Sequence, residues 1–143
     1  MLHRRLDTDP VRHVLVFETG DELSQGLADY ARSEGILGAS FTGVGAFAEV
    51  ELVWFDWEAK EYRTSVQLDE QVELISLIGD VAENDGEPAV HAHLTIARSD
   101  GSAHGGHLKR AIVRPTCEIV LTETPEPLRK RHDPESGLAL IRF

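Results

Sequence analysis

From Ile36 to the C-terminus, short runs of β-branched, aromatic and aliphatic residues follow one another at hairpin spacing, and only one clear helix pattern stands before them. The runs are Ile36 to Thr42, Ala46 to Trp57, Tyr62 to Leu68, Val72 to Ile78, Ala89 to Ala97, His107 to Thr122 and Leu138 to Phe143. Turn signals at Glu83-Asn84-Asp85-Gly86, Ser99-Asp100-Gly101-Ser102 and Asp133-Pro134-Glu135-Ser136-Gly137 punctuate them, and strands joined by such short turns pair antiparallel. Within Ala46 to Trp57, the residues Ala48, Val50, Leu52 and Trp54 alternate onto one side, the period of a half-buried strand. Upstream, Val11 to Phe17 reads as a strand buried on both faces. A helix should follow it. Thr19-Gly20-Asp21-Glu22 offers capping groups, Leu23, Leu27, Tyr30 and Ala31 form an apolar stripe, and Gly35 stands where a helix stops. A second, short helix is expected over Pro127 to His132. One early helix followed by many hairpin-spaced strands predicts an α+β fold whose central sheet is mostly antiparallel. At 143 residues the chain suits a single domain, 1–143.

The same pattern carries a cluster with metal chemistry. His91-Ala92-His93 lies in the Ala89 to Ala97 run, and Gly105-Gly106-His107 follows the Asp100-Gly101 turn. On a strand, residues i and i+2 share a face about 6 to 7 Å apart, so both rings can reach one ion at about 2.0 to 2.1 Å. A three-residue loop centred on Asp100 pairs residues symmetrically about that position, which sets His93 opposite His107 and turns His104 away. A bulge at Gly105-Gly106 would reverse the last assignment. Three imidazoles leave a coordination position open, unlike a closed four-ligand structural zinc. The plain alternative is a set of half-buried histidines hydrogen-bonded across a sheet. A cupin site is disfavoured because Thr95-Ile96-Ala97-Arg98 supplies no carboxylate after the pair.

Other signals exclude more than they suggest. The net charge of -11 opposes the phosphate attraction that drives nonspecific DNA binding. Lys109-Arg110 with Arg114, and Arg129-Lys130-Arg131-His132, are the local exceptions, and both read as solvated surface or carboxylate partners. Cys117 is the single cysteine and falls on an apolar strand face, so a buried, inert thiol is expected. No apolar run has the length of a membrane span and no signal-peptide core follows Met1, which makes the cytoplasm the expected compartment. Gly43-Val44-Gly45-Ala46-Phe47-Ala48 matches a dinucleotide fingerprint in letters, but Glu49 to Trp54 continues as strand where that motif must open a helix. A tight, glycine-enabled strand junction is the better reading. There is no Gly-x-Ser-x-Gly elbow, and Ser99 and Ser102 are turn residues.

Gly43-Val44-Gly45-Ala46, Glu73-Leu74-Ile75-Ser76-Leu77-Ile78-Gly79, His91-Ala92-His93-Leu94, Gly105-Gly106-His107-Leu108, Glu118-Ile119-Val120-Leu121 and the closing Arg131 to Leu138 stretch occur here in one order. Together they resemble the plants-and-prokaryotes-conserved (PPC) domain, from about residue 12 to residue 143. The resemblance implies an α+β fold like that of acetolactate decarboxylase, with one or two helices beside the sheet. It also implies a homotrimer, and a zinc or similar divalent ion on His91, His93 and His107. Plant members carry the domain beside AT-hooks and act in transcription, and prokaryotic members are treated as candidate DNA-binding proteins. This chain has no Arg-Gly-Arg-Pro hook, and the plant-type Gly-Arg-Phe-Glu-Ile-Leu stretch survives only as Glu73-Leu74-Ile75. Together with the acidic balance, these departures argue against direct DNA binding.

Three functions from different classes follow. The first is a trimeric metal-binding module acting through protein partners or regulation; the second is a metal-dependent lyase or hydrolase using the open position; the third is direct DNA binding. For the second, Glu73 is the candidate carboxylate, as fourth ligand or base, because its strand can lie beside the histidine hairpin. An edge charge or an ion-pair partner for Arg110 is its plain alternative.

Overall fold

The computed structural model describes residues 1–6 and 9–143. Strand β1 (Leu2–Leu6) and β2 (Arg12–Glu18) lead into helix α1 (Leu23–Glu34), after which the chain is strand and turn: β3 (Gly38–Asp56), β4 (Glu61–Leu68), β5 (Val72–Asn84), β6 (Glu87–Ala97), β7 (Ala103–Glu123), β8 (Lys130–His132) and β9 (Ala139–Ile141). Seven strands run in the order β1-β2-β7-β6-β5-β3-β4, and a further pairing of β7 with β3 closes the ring β3-β5-β6-β7. All these ladders are antiparallel. The strands β8 and β9 form a separate hairpin.

Closure is possible because β3 and β7 are long enough to change partners along their length. β3 pairs with β5 over Gly38 to Phe47 and with β4 over Val50 to Asp56, while β7 runs along it from Ala39 to Val53. Register shifts in β3 at Gly43/Gly45 and Leu52/Val53 bend it, as bulges do. The glycine pair is such a junction. A Cβ on Gly45 would meet the Thr116 carbonyl oxygen and Cys117 Cα, so only glycine lets β3 lie that close to β7. Strand, not helix, continues through Ala46 to Asp56, and the dinucleotide reading falls.

Helix α1 follows its expected pattern. Glu22 accepts hydrogen bonds from the Ser24 and Gln25 amides at 3.2 and 2.6 Å, Gly35 caps the other end at φ 67°, and Leu23, Leu27, Tyr30 and Ala31 are its buried residues. They join one core with Leu15, Phe17, Phe47, Leu52, Leu77, Ile96 and Ile119. Cys117 is in that core, and burial pushes its thiol up to about 12.

Three expectations need correction, and one strand was not foreseen. Pro127 to His132 is not a helix: Leu128 gives its N–H to Leu37 and its carbonyl to Glu83, and Lys130 to His132 pair with β9, so the backbone is already spent on other segments. Trp54 leaves the inward row and is 50% exposed, because the shift at Leu52/Val53 puts both of those residues inside. In β2 only His13, Leu15 and Phe17 are fully buried, while Val14 and Val16 are half-buried. Strand β1, which covers the outer edge of β2, had no sequence signal.

Candidate metal centre

The histidine hairpin forms as its turn dictates. Arg98 donates its amide to Ser102 at 2.9 Å, Gly101 takes φ 81°, and the ladder runs without a shift from Ala97/Ala103 through Ile96/His104 to His93/His107. No bulge interrupts Gly105-Gly106, so His107 stays on the face of His91 and His93 while His104 pairs with buried Ile96 on the other. The three rings converge, with centroids 5.0 Å (His91 to His93), 5.1 Å (His91 to His107) and 5.3 Å (His93 to His107) apart. One ligand atom from each lies within 4.8 Å of the others.

Their hydrogen bonding orients them. Asp80 Oδ2 is 3.2 Å from His91 Nδ1; a carboxylate only accepts, so Nδ1 is the donor and the lone pair of Nε2 faces the cluster. That Nε2 lies 3.2 Å from His93 Nε2. Ligand nitrogens on a tetrahedral zinc stand about 3.3 to 3.4 Å apart, so the first pair already has chelating spacing. His107 Nδ1 is buried with no hydrogen-bond partner among the described residues, a nitrogen that an ion would satisfy. The donor set therefore fits a divalent metal of zinc type.

Electrostatics agree with that use. Desolvation, followed by the neighbouring charges of His91, His93 and Lys130, lowers His107 from 6.5 to about 4. His93 is lowered by partial burial and by His91, although much of its ring meets solvent. Rings kept neutral near pH 7 are rings able to ligate. Gly79 lets β6 approach here, since a Cβ would meet the Phe41 ring and the His91 carbonyl.

Glu73 is elsewhere. It lies opposite Ala97 at the far end of the β5–β6 ladder, exposed, while Asp80 stands opposite His91. The strand does lie beside the hairpin, but its register brings Asp80 and not Glu73 to the histidines. Nor does Glu73 serve Arg110, which pairs with Glu49 at 2.6 Å. Sequence reasoning missed three residues around the cluster: Asp80, Tyr62 (its ring 4.8 Å from that of His107) and Lys130. The signal for Asp80 was present. Asp85 and Gly86 both take positive φ in a two-residue turn, and pairing outward from it places Asp80 against His91 by the same symmetry that placed His107.

The chain matches the sequence profile of the Plants and Prokaryotes Conserved (PCC) domain over residues 7–125. It belongs to that family. Among solved structures, the PCC-domain chain is similar to a plant- and prokaryote-conserved protein of Pyrococcus horikoshii (TM-score 0.86, 32% identity, covering 99% of this chain and 95% of that one). It is similar also to a candidate DNA-binding protein of Bacteroides thetaiotaomicron (TM-score 0.90, 28% identity, 99% and 97%). A metal-containing protein of Archaeoglobus fulgidus matches at TM-score 0.84 and 29% identity, over 92% and 93%. The likeness to α-acetolactate decarboxylase of Bacillus subtilis, at TM-score 0.52 and 14% identity, is one of fold. Of curated proteins, Bifunctional protein GlmU of a Synechococcus strain is 32% identical over 121 residues, 82% of this chain. The PCC-domain chain spans 18% of the length of the curated relatives it matches.

Proposed function

We propose that this PCC domain is a metal-binding module, its zinc-type ion held by His91, His93 and His107, that acts as a homotrimer in a regulatory, DNA-associated role through protein partners. The observation that carries the reading is the convergence of three imidazoles, one nitrogen from each within 4.8 Å of the others, beside a buried His107 Nδ1 that has no hydrogen-bond partner among the described residues. The metal content of the Archaeoglobus relative supports it. Self-association is supported by an exposed apolar strip: Val44, Ile75, Ile78 and Val120 are 57, 55, 58 and 48% exposed around one hollow on β3, β5 and β7. The Bacteroides relative supports the association with DNA, while the net charge of -11 assigns direct contact to a partner. Metal analysis of the dialysed protein should find one ion per chain, and sedimentation should find three chains. Metal-free protein at full folding overturns the site, and a monomer at micromolar concentration overturns the assembly.

A second reading, a metal-dependent lyase or hydrolase, is favoured by one feature. A cavity of about 320 Å³ opens beside His91 and His107 and is lined by Tyr62, Asp80 and Lys130. A bound ion would supply Lewis-acid polarisation of a substrate oxygen or acidification of water there. Asp80 would hold the His91 ring in its tautomer, and Tyr62, whose phenol is raised by burial, would remain an O–H donor.

A further inference from the structure

We propose that the cavity beside the histidines is a binding site for a small carboxylate-bearing molecule, anchored by Lys130 and seated against Leu138, Leu140 and Ile141. The inference rests on the metal reading and names the ligand class of the same site. Its starting point is Lys130, a half-buried lysine in a chain with a net charge of -11. Seven of the fourteen lysines and arginines, Arg32, Arg63, Arg98, Lys109, Arg110, Arg129 and Arg142, sit within 4 Å of a carboxylate. Lys130 makes no salt bridge among the described residues and lines the cavity with His91 and His107. The fold puts it there deliberately in register: β8 pairs with β9, and Glu83, three residues beyond Asp80, bridges to the neighbouring Arg129.

Charge decides the sign of the ligand. Asp80 is the one acid among the described residues that line the cavity, and its Oδ2 already engages His91 Nδ1, so the two charges of a divalent ion and one of an ammonium without a salt bridge exceed its single negative charge. An anion balances it. Shape decides the class. The volume is at the low end for ligand pockets, and the Leu138 to Ile141 wall offers an apolar surface, which suits a short aliphatic acid. Phosphate is disfavoured because no arginine and no helix N-terminus lines the cavity.

The test uses the full chain loaded with cobalt(II), whose visible absorption reports changes at the ion, and titrates it with butanoate, butanamide and inorganic phosphate. Butanoate should change the spectrum and bind at least tenfold more tightly than butanamide, its uncharged equivalent in shape. Lys130→Met should weaken butanoate tenfold or more while keeping cobalt stoichiometry, and Lys130→Arg should restore part of the loss. Equal binding of acid and amide, unchanged butanoate binding in Lys130→Met, or tighter binding of phosphate than butanoate overturns the ligand class and leaves the metal site standing. Failure of the wild type to take up cobalt overturns both. Loss of cobalt from Lys130→Met shows the lysine to be structural and overturns its assignment as anchor.

Discussion

Two groups of histidines in this molecule face opposite requirements. His13, wholly buried on β2, has both ring nitrogens satisfied: Nδ1 is 2.8 Å from the Tyr30 hydroxyl and Nε2 is 2.8 Å from Glu123 Oε1. At the three-histidine cluster the carboxylate of Asp80 holds one nitrogen of His91, and a buried nitrogen of His107 has no hydrogen-bond partner among the described residues. The first arrangement ties β2 to α1 and the end of β7 and leaves no lone pair to offer. The second leaves its lone pairs converging on one point. The difference teaches that burial alone does not mark a functional histidine; what marks it is a nitrogen the protein has oriented and left unsatisfied.

The sharpest way to break this contrast is to remove ligands. His91→Ala and His107→Ala should each abolish stoichiometric metal after dialysis, read by elemental analysis, while His13→Ala keeps it. Stability should respond in the reverse sense. His13→Ala strands Tyr30 and Glu123 and opens a cavity, which should cost about 2 to 4 kcal/mol in urea unfolding of the metal-free protein. If the metal-free His91→Ala variant loses as much, the two groups are not different in kind. Asp80→Asn keeps the shape but weakens the orientation of His91, and should lower metal affinity about 10- to 100-fold by competition with a chelator.

The smallest effect is on pH dependence. Burial lowers His107 from 6.5 to about 4, so between those values the unfolded chain binds more protons than the folded one. Metal-free protein should therefore lose stability as pH falls from about 6.5 to about 4 and flatten below that range. His107→Gln should reduce the slope within that window, and an unchanged slope would assign it to another group.

The legible part of the site was its hairpin. Period two and one Asp-Gly turn were enough to bring His93 opposite His107, because ladder pairing spreads outward from a turn without further choice. Asp80 was legible by the same argument from Asp85-Gly86, but only if β5 is extended past Ile78 to Asn84. Glu73 was chosen from the right strand at the wrong register. Lys130 was hidden because a run of four basic residues reads as surface, and nothing local tells which one turns inward. The His13 cluster was hidden for a related reason: Tyr30 and Glu123 are 17 and 110 residues away along the chain.

Local pattern thus determined the strands other than β1 and β8, the helix with its caps and buried stripe, and the three-histidine face, since each depends on neighbours a few residues off or across one tight turn. The tertiary structure alone decided the ring closure through β3 and β7, the exposure of Trp54 at a bulge, the conversion of Pro127 to His132 into extended chain, and the meeting of β8 with the histidine cluster. Those outcomes depend on which distant segment takes up each backbone hydrogen bond. A sequence shows that an amide and a carbonyl must be paired, and only the folded chain chooses the partner.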